Sequence, residues 1–410
     1  MRKLLTILIS LAVFTSFSIA QAPSPAQYLL GEALTTFEER YFGFKEIDFS
    51  ALNRDANTKL EVACKDLLPC PFAVGETTLD NVLSSVGDGH TFRLTPIAWA
   101  QFVANSDNAP LPMVGLKFAA LPDASALVVT RVLEGSPAKL AGIERGDVVW
   151  AVNSNSLETF KSASEAVSAI TKLEFTRQPV TLKVSHLGTE RKIVKLEPAE
   201  LKPWLPSYEL RFDGVAVITF YQYLTGNLIA SRVHEFVSLA QAAKARAIVL
   251  DVRGSGGGSG YESAASAGAF VEPVGTQFES VRSQGRVVYQ DGKIANSGFR
   301  ISNPALWTNA VLVLTNHISR SAAEYMTFFL QETGRAKVIG ETTAGVLNTS
   351  TSIFPLPGGS SLAVTSGRSS TLEGVAHPEF VTPDVVMTDD MGALSQGRDV
   401  ILLKALEMLR

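Results

Sequence analysis

LTNHISRSAAEYMTFFLQETGRAKVIGETTAG, residues 314–345, reads in succession as the end of a strand, a polar turn, an amphipathic helix and a second strand. The apolar run VLVLT (311–315) stops at about Asn316, and Ser321 stands at the head of the helix, where backbone amides have no partner within the helix itself. A serine in that position is commonly only a cap, so its chemistry depends on what surrounds it. Upstream, the apolar strand AIVLDVR (247–253) runs into GSGGGSGY (254–261), and ESAASAGAFV (262–271) is helical in pattern. Glycines between a strand and a helix let backbone amides approach a ligand closely, which suits an anion or an oxyanion. No frame of this loop supplies the G-x-G-x-x-G of a dinucleotide site, and no Gly-Lys-Ser or Gly-Lys-Thr follows to make a P-loop.

Outward from these two segments the chain alternates strand and helix. VAVITF (215–220) precedes the helical LIASRVHEFVSLAQAAKA (228–245), SIFPLP and SLAVTSG flank Gly358-Gly359 as a hairpin, and RDVILLKALEML (398–409) closes the chain as a helix. From about residue 201 this is an α/β core.

The whole chain has 410 residues, 46% hydrophobic and 19% charged, a globular composition with room for two or three domains. A formal charge of -4 gives no reason to expect nucleic-acid or anionic-membrane binding. At the start, Arg2 and Lys3 precede the apolar run Leu4 to Phe14, and Ser18-Ile19-Ala20 fits a small-x-small cleavage pattern. The run is shorter than the ~20 residues of a spanning helix, so residues 1–20 read as a signal peptide cut after Ala20, with Ala22 as second choice, rather than as an anchor. An exported, periplasmic or secreted protein is expected. Export lets Cys64 and Cys70 in ACKDLLPCPF close a small disulfide loop; free thiols are the alternative, and neighbouring residues supply no further ligands for zinc. No metal site and no cofactor is expected.

Residues 21–110 are mainly helical in pattern and carry the polar corner GDGHTFRL (87–94), which sets His90 just after an amphipathic helix. Alone, such a histidine reads as a solvated turn residue. In residues 111–200, SALVVTRV is a strand, GSPAKLAG places Ser136 as cap, Pro137 at the first helical position and Gly142 past the end, and SASEAVSAITK is a longer helix before the strand VTLKV. The stretch GSPAKLAGIERGDVVWAVN resembles the core of a PDZ domain. That resemblance implies recognition of an extended peptide by strand addition, with Gly115 and Leu116 of MVGLKF in the loop that receives a terminal carboxylate.

DVRGSGGG, SRSAAE, GRAKVIGETTAG and the later EGV...PD segment, in that order, resemble the C-terminal processing peptidases and their tricorn-type relatives. The resemblance implies a crotonase-like ββα core over residues 201–410, an inserted PDZ-like domain, Ser321 as nucleophile, and an oxyanion hole from the amides of Gly258 and Ala322, with Gly257 at the substrate. Many members pair their serine with a lysine after the GExT strand, but the matching stretch GETTAGVLN has Val346 there, so the base must come from elsewhere. Ser255 likewise stands where relatives have asparagine. The lysine-lacking tricorn-like branch uses a histidine from an upstream segment and a late glutamate, which nominates His90 and, among Glu373, Glu379 and Asp384, Glu373. Gly89 stands where that branch has a serine before its histidine. The implied activity is hydrolysis of polypeptides, with engagement through the C-terminus as one mode; the alternative on the same fold is a non-catalytic binder of peptides or hydrophobic small molecules, and a scaffold acting through the PDZ-like unit is a third reading.

Overall fold

The computed structural model describes residues 22–224 and 226–410, so the signal-peptide reading of residues 1–20 lies outside the described residues. Three helices come first: α1 (Pro25–Arg40), α2 (Phe49–Cys64) and α3 (Phe72–Val86). Leu29, Leu30, Leu34 and Phe37 of α1 recur at helical spacing and pack on Leu79, Val82 and Leu83 of α3. Cys64 and Cys70 are joined across the α2–α3 connection. Gly87, with φ of 66°, takes the left-handed conformation that ends α3 and redirects the chain into the GDGH corner. Next come β1 (Phe92–Leu94) and α4 (Pro96–Ser106). The expectation of a helical N-terminal unit needs one correction here. β1 pairs antiparallel with residues 361–363, so the segment carrying His90 is the edge of a sheet built by the C-terminal half.

The second unit runs through β2 (Leu111–Met113), β3 (Leu116–Ala120), β4 (Leu127–Val132), α5 (Pro137–Leu140), β5 (Val148–Val152), β6 (Asn155–Ser156), α6 (Ala163–Phe175), β7 (Val180–Ser185), β8 (Lys192–Leu196) and β9 (Ala199–Leu201). Its sheet has the order β3-β4-β5-β7-β8, with β3 at one edge and β6 on β5, while β2 and β9 pair to bring the two ends of the unit together. Leu116 and Phe118 of β3 face the apolar core under α6, so by strand alternation Lys117 faces the opposite way. On that outer side Arg131 meets Asp251 at 2.7 Å and Arg145 meets Asp399 at 2.8 Å, docking the unit on the C-terminal half of the chain.

The remainder comprises β10 (Ser207–Leu210), β11 (Val215–Thr219), α7 (Leu228–Ala242), β12 (Ala247–Asp251), α8 (Gly260–Gly268), β13 (Val274–Ser280), β14 (Gln284–Gln290), β15 (Lys293–Ile294), β16 (Ala310–Thr315), α9 (Ala322–Glu332), β17 (Lys337–Gly340), β18 (Thr349–Pro355), β19 (Ser361–Ser370), β20 (Val385–Val386), α10 (Met391–Leu394) and α11 (Val400–Met408). One sheet has the order β10-β11-β12-β16-β17-β20, parallel from β11 to β20. Its strands read as unbroken apolar runs because both faces are covered: Ile248 and Leu250 pack with α7, α8 and α9, whereas Ala247 and Val249 pack with α11. A second sheet, in the order β1-β19-β13-β14-β15 with β18 also on β19, lies on the other side of α8 and α9. Among the described residues no helix is long and apolar enough to cross a membrane.

Candidate active site

β12 and β16 are neighbouring parallel strands in register, Asp251 opposite Leu314, so their carboxyl ends deliver the glycine loop and the Ser321 turn to the same edge of the sheet. That edge is where open α/β sheets place their ligands. The two loops are tied together: Ser319 Oγ donates to the Val252 carbonyl at 2.9 Å, the Gly254 amide to Asn316 Oδ1 at 3.0 Å, and the Arg320 amide to the Ser255 carbonyl at 3.1 Å. Ser321 has φ of 52° and ψ of -116°, a conformation that costs a non-glycine residue about 1–3 kcal/mol and has to be imposed by its surroundings. Gly257 presses on it so closely that a Cβ there would lie 2.7 Å from the Ser321 Cβ. The Tyr223 amide bonds the Gly257 carbonyl and the Ser259 amide bonds the Tyr223 carbonyl, both at 2.8 Å, so the Gly258 amide between them points away from Tyr223. Ala322 is the first residue of α9 and its amide has no intrahelical acceptor.

Glu324 holds the strained turn in place. It is fully buried three residues into α9 and accepts from the Ser321 amide at 2.7 Å, the Thr343 hydroxyl at 2.6 Å, the Gly345 amide at 2.9 Å and the Val346 amide at 3.2 Å. Sequence reasoning passed over this residue. The Ser-x-x-Glu spacing at a helix head was the signal that could have found it. Val346, at the position where many relatives carry lysine, is buried and packs on Gly89: a Cβ added to Gly89 would stand 2.9 Å from Val346 Cγ1. Two of the three departures noted in the sequence, Gly89 and Val346, thus accommodate each other in space.

His90 is 4% exposed and reaches the site because β1 joins β19. Asp88 fixes its backbone, accepting the His90 amide at 2.9 Å, and Thr351 donates to its carbonyl at 2.6 Å. Its Nδ1 lies 2.8 Å from the hydroxyl of Thr349. Burial first, and then the nearby Arg320 guanidinium, push its pKa down to about 4, Asp88 opposing them in part. Glu373, expected as the orienting carboxylate, sits in an exposed turn between Thr371 and Gly374, away from His90. That assignment is corrected: the EGV segment passes the far end of β19, so the side chain at Nδ1 is the neutral Thr349. Thr349→Val should therefore leave the His90 ring without its hydrogen-bond partner, which a change in the His90 imidazole NMR resonances would show.

Ser321 separates two cavities. One, of about 590 Å³, is lined by His90, Lys117, Tyr221, Gly257, Gly258 and Arg320 together with Ser321 itself. The other, of about 420 Å³, lies between Ser321 and the apolar side chains Tyr261, Ala264, Phe278, Val287, Tyr325 and Phe329. Ser321 and His90 thus face one space without a direct hydrogen bond among the described residues. Gly115 and Leu116 are not in it; they lead into the edge strand β3, where Gly115 has φ of 84° and a Cβ would strike Ser136. Beside them the buried Glu174 accepts the Val114 amide at 2.8 Å.

The family model for peptidase family S41 matches residues 214–387, and a PDZ-domain model matches residues 128–177. The chain is 26% identical over 400 residues to the chloroplastic carboxyl-terminal-processing peptidase 3 of Arabidopsis thaliana, covering 93% of this chain and 73% of that protein. It is 30% identical over 268 residues to a probable CtpA-like serine protease of Staphylococcus aureus, with 64% of this chain covered and about half, 50%, of that relative's length. A solved photosystem II D1 C-terminal processing protease shares the fold, with a TM-score of 0.53 at 19% identity over 88% of this chain and 93% of that one. Residues 214–387 thus match peptidase family S41 and residues 128–177 a PDZ domain, and the chain is similar to the C-terminal processing serine peptidases.

Proposed function

We propose that the protein is an exported peptidase that cleaves polypeptides through an acyl-enzyme on Ser321, with His90 as general base and the amides of Gly258 and Ala322 as the oxyanion site. One observation carries this reading: Ser321, held in a strained conformation beside Gly257, faces the same cavity as the buried His90. With Nδ1–H donated to Thr349, the lone pair on Nε2 is free to take the Ser321 proton. Oγ then attacks the scissile carbonyl, whose oxygen becomes the anion received by the two amides. His90 returns the proton to the leaving amine, and a water molecule repeats the sequence to release the acyl group and restore Ser321. The apolar cavity beneath Tyr325 and Phe329 suits an apolar side chain on the acyl side of the cut bond.

In this reading the repeated β-β-α layering around α8 and α9 is the crotonase-like core, and β3 with Gly115 and Leu116 is the edge on which a substrate strand pairs. The leader-like residues 1–20 motivate export, and mass analysis of the mature protein tests it. For the chemistry, a fluorophosphonate probe should label the intact protein at Ser321, as mapped by peptide mass spectrometry, and Ser321→Ala should not be labelled. Absence of labelling, or labelling of another serine, would favour the non-catalytic binder.

A further inference from the structure

The cavity in front of Ser321 has an unbalanced charge. Its lining contains two cationic side chains, Lys117 and Arg320, and no carboxylate among the described residues. Arg320 is committed, donating to the Gly89 carbonyl at 2.6 Å with its guanidinium 5.7 Å from the Phe92 ring centre. Lys117 is not. Its ammonium donates only to the Tyr221 carbonyl, at a long 3.3 Å, and lies 5.6 Å from each of the ring centres of Trp204 and Tyr221. It forms no ion pair among the described residues. Directly across the strand pair is Arg131, a second cation, which has taken the nearby Asp251 for itself at 2.7 Å. Burial and then Arg131 push the Lys117 pKa down to about 8, as befits a partly desolvated ammonium with no counter-charge. At neutral pH it is still mostly protonated, and two of its three donors remain free.

We infer that Lys117 is a carboxylate-binding subsite inside the catalytic cavity, contributed by the PDZ unit and placed to hold a negative charge on the segment of substrate that is released. The inference rests on the peptidase reading for the direction of the chain, but not for the binding itself. A substrate carboxylate would supply what the cavity lacks, and a hydrogen bond between two charged groups in a partly dry site is among the stronger ones available. Trp204 and Tyr221 fix the ammonium from below, so little side-chain freedom remains to be lost on binding. The carboxylate can come from the end of a polypeptide or from an acidic side chain near the cut.

The test uses one apolar hexapeptide in three forms: free acid, C-terminal amide, and the amide with an aspartate near its end. Each is titrated calorimetrically into the full chain carrying Ser321→Ala, and each is cleaved by the Ser321 protein with and without Lys117→Gln or Lys117→Arg. The acid should bind about tenfold more tightly than the amide, Lys117→Gln should bring that ratio close to one, and Lys117→Arg should retain much of it. If the aspartate form matches the acid in a Lys117-dependent way, a side-chain carboxylate serves as well as the chain end; if it matches the amide, only the chain end serves. Acid and amide binding alike, a preference that survives Lys117→Gln, or an equal loss on all three forms would overturn the subsite. Because calorimetry needs no turnover, absence of cleavage would count against the peptidase reading alone.

Discussion

His90→Ala is expected to lower kcat/KM on a peptide substrate by ~100-fold or more, the scale of a lost general base. The other four histidines are each engaged elsewhere. His186 pairs with Asp147 at 2.6 Å, and the exposed His317 with Glu341 at 2.6 Å. His234 is buried against the Ala265 and Ala305 backbone, while His377 lies 3.0 Å from the Thr276 hydroxyl and is boxed by Phe328 and Tyr325. A base must be neutral to accept the Ser321 proton, so activity rises with pH through the His90 pKa. Since burial and Arg320 bring that pKa to about 4, the acid limb of kcat/KM should fall near pH 4 and the profile should be flat across pH 6–7. This departs from the ordinary histidine value near ~6.5. His90→Asn, closer in shape, separates chemistry from packing: if either variant folds and keeps near-normal turnover, the base has been misassigned. A limb near ~6.5 would instead show a ring more solvated than its burial implies.

Glu324→Ala is expected to lose both activity and stability. Its carboxylate satisfies three backbone amides and a hydroxyl, from Ser321, Gly345, Val346 and Thr343, in a fully buried place. Removing it leaves those donors buried without acceptors, at a cost of about 3 kcal/mol or more in total. The strained Ser321 backbone then loses the contact that fixes it, and turnover should fall ~100-fold or more. Glu324→Gln keeps an acceptor oxygen and should recover much of the thermal stability, but its amide NH2 faces donors, so activity should recover less. Differential scanning calorimetry and kinetics on the three proteins measure both. If Glu324→Ala melts like the parent and turns over normally, the residue is not what holds the nucleophile.

These two residues mark where sequence was readable. Ser321, the glycine triplet and His90 were nominated by motifs that resemble those of the C-terminal processing peptidases, while the local pattern of each gave only its place: a helix head, a loop, a corner after a helix. Glu324 was equally local, but as a helix-capping glutamate it carried no chemical signal. Thr349 was not readable at all, since it meets His90 across 259 residues of chain through the alignment of β18 and β1 on β19. Glu373 was chosen by motif alone, and motif says nothing about which end of a long strand a turn occupies. The hairpin β13–β14 escaped for a similar reason: VGTQFESVRSQGRVVYQ mixes polar and apolar residues because the strands meet different neighbours along their length.

The pairing of β1 with β19 also bears on the order in which the molecule assembles. The span matched by the peptidase model, residues 214–387, begins well after His90, and the residues matched by the PDZ model, 128–177, lie between His90 and Ser321 in sequence. The proposed base and nucleophile therefore meet only when the first hundred residues close onto a strand nearly 270 positions downstream. Contacts of such high sequence separation bear the largest loop-closure entropy and come late in folding. β1 is only three residues long, but it docks together with the N-terminal helices, whose buried core takes in Leu356, Leu362 and Val364. The half that carries Ser321 can thus be native before the proposed site is complete, which requires the N-terminal helices to dock on β19 together with β1.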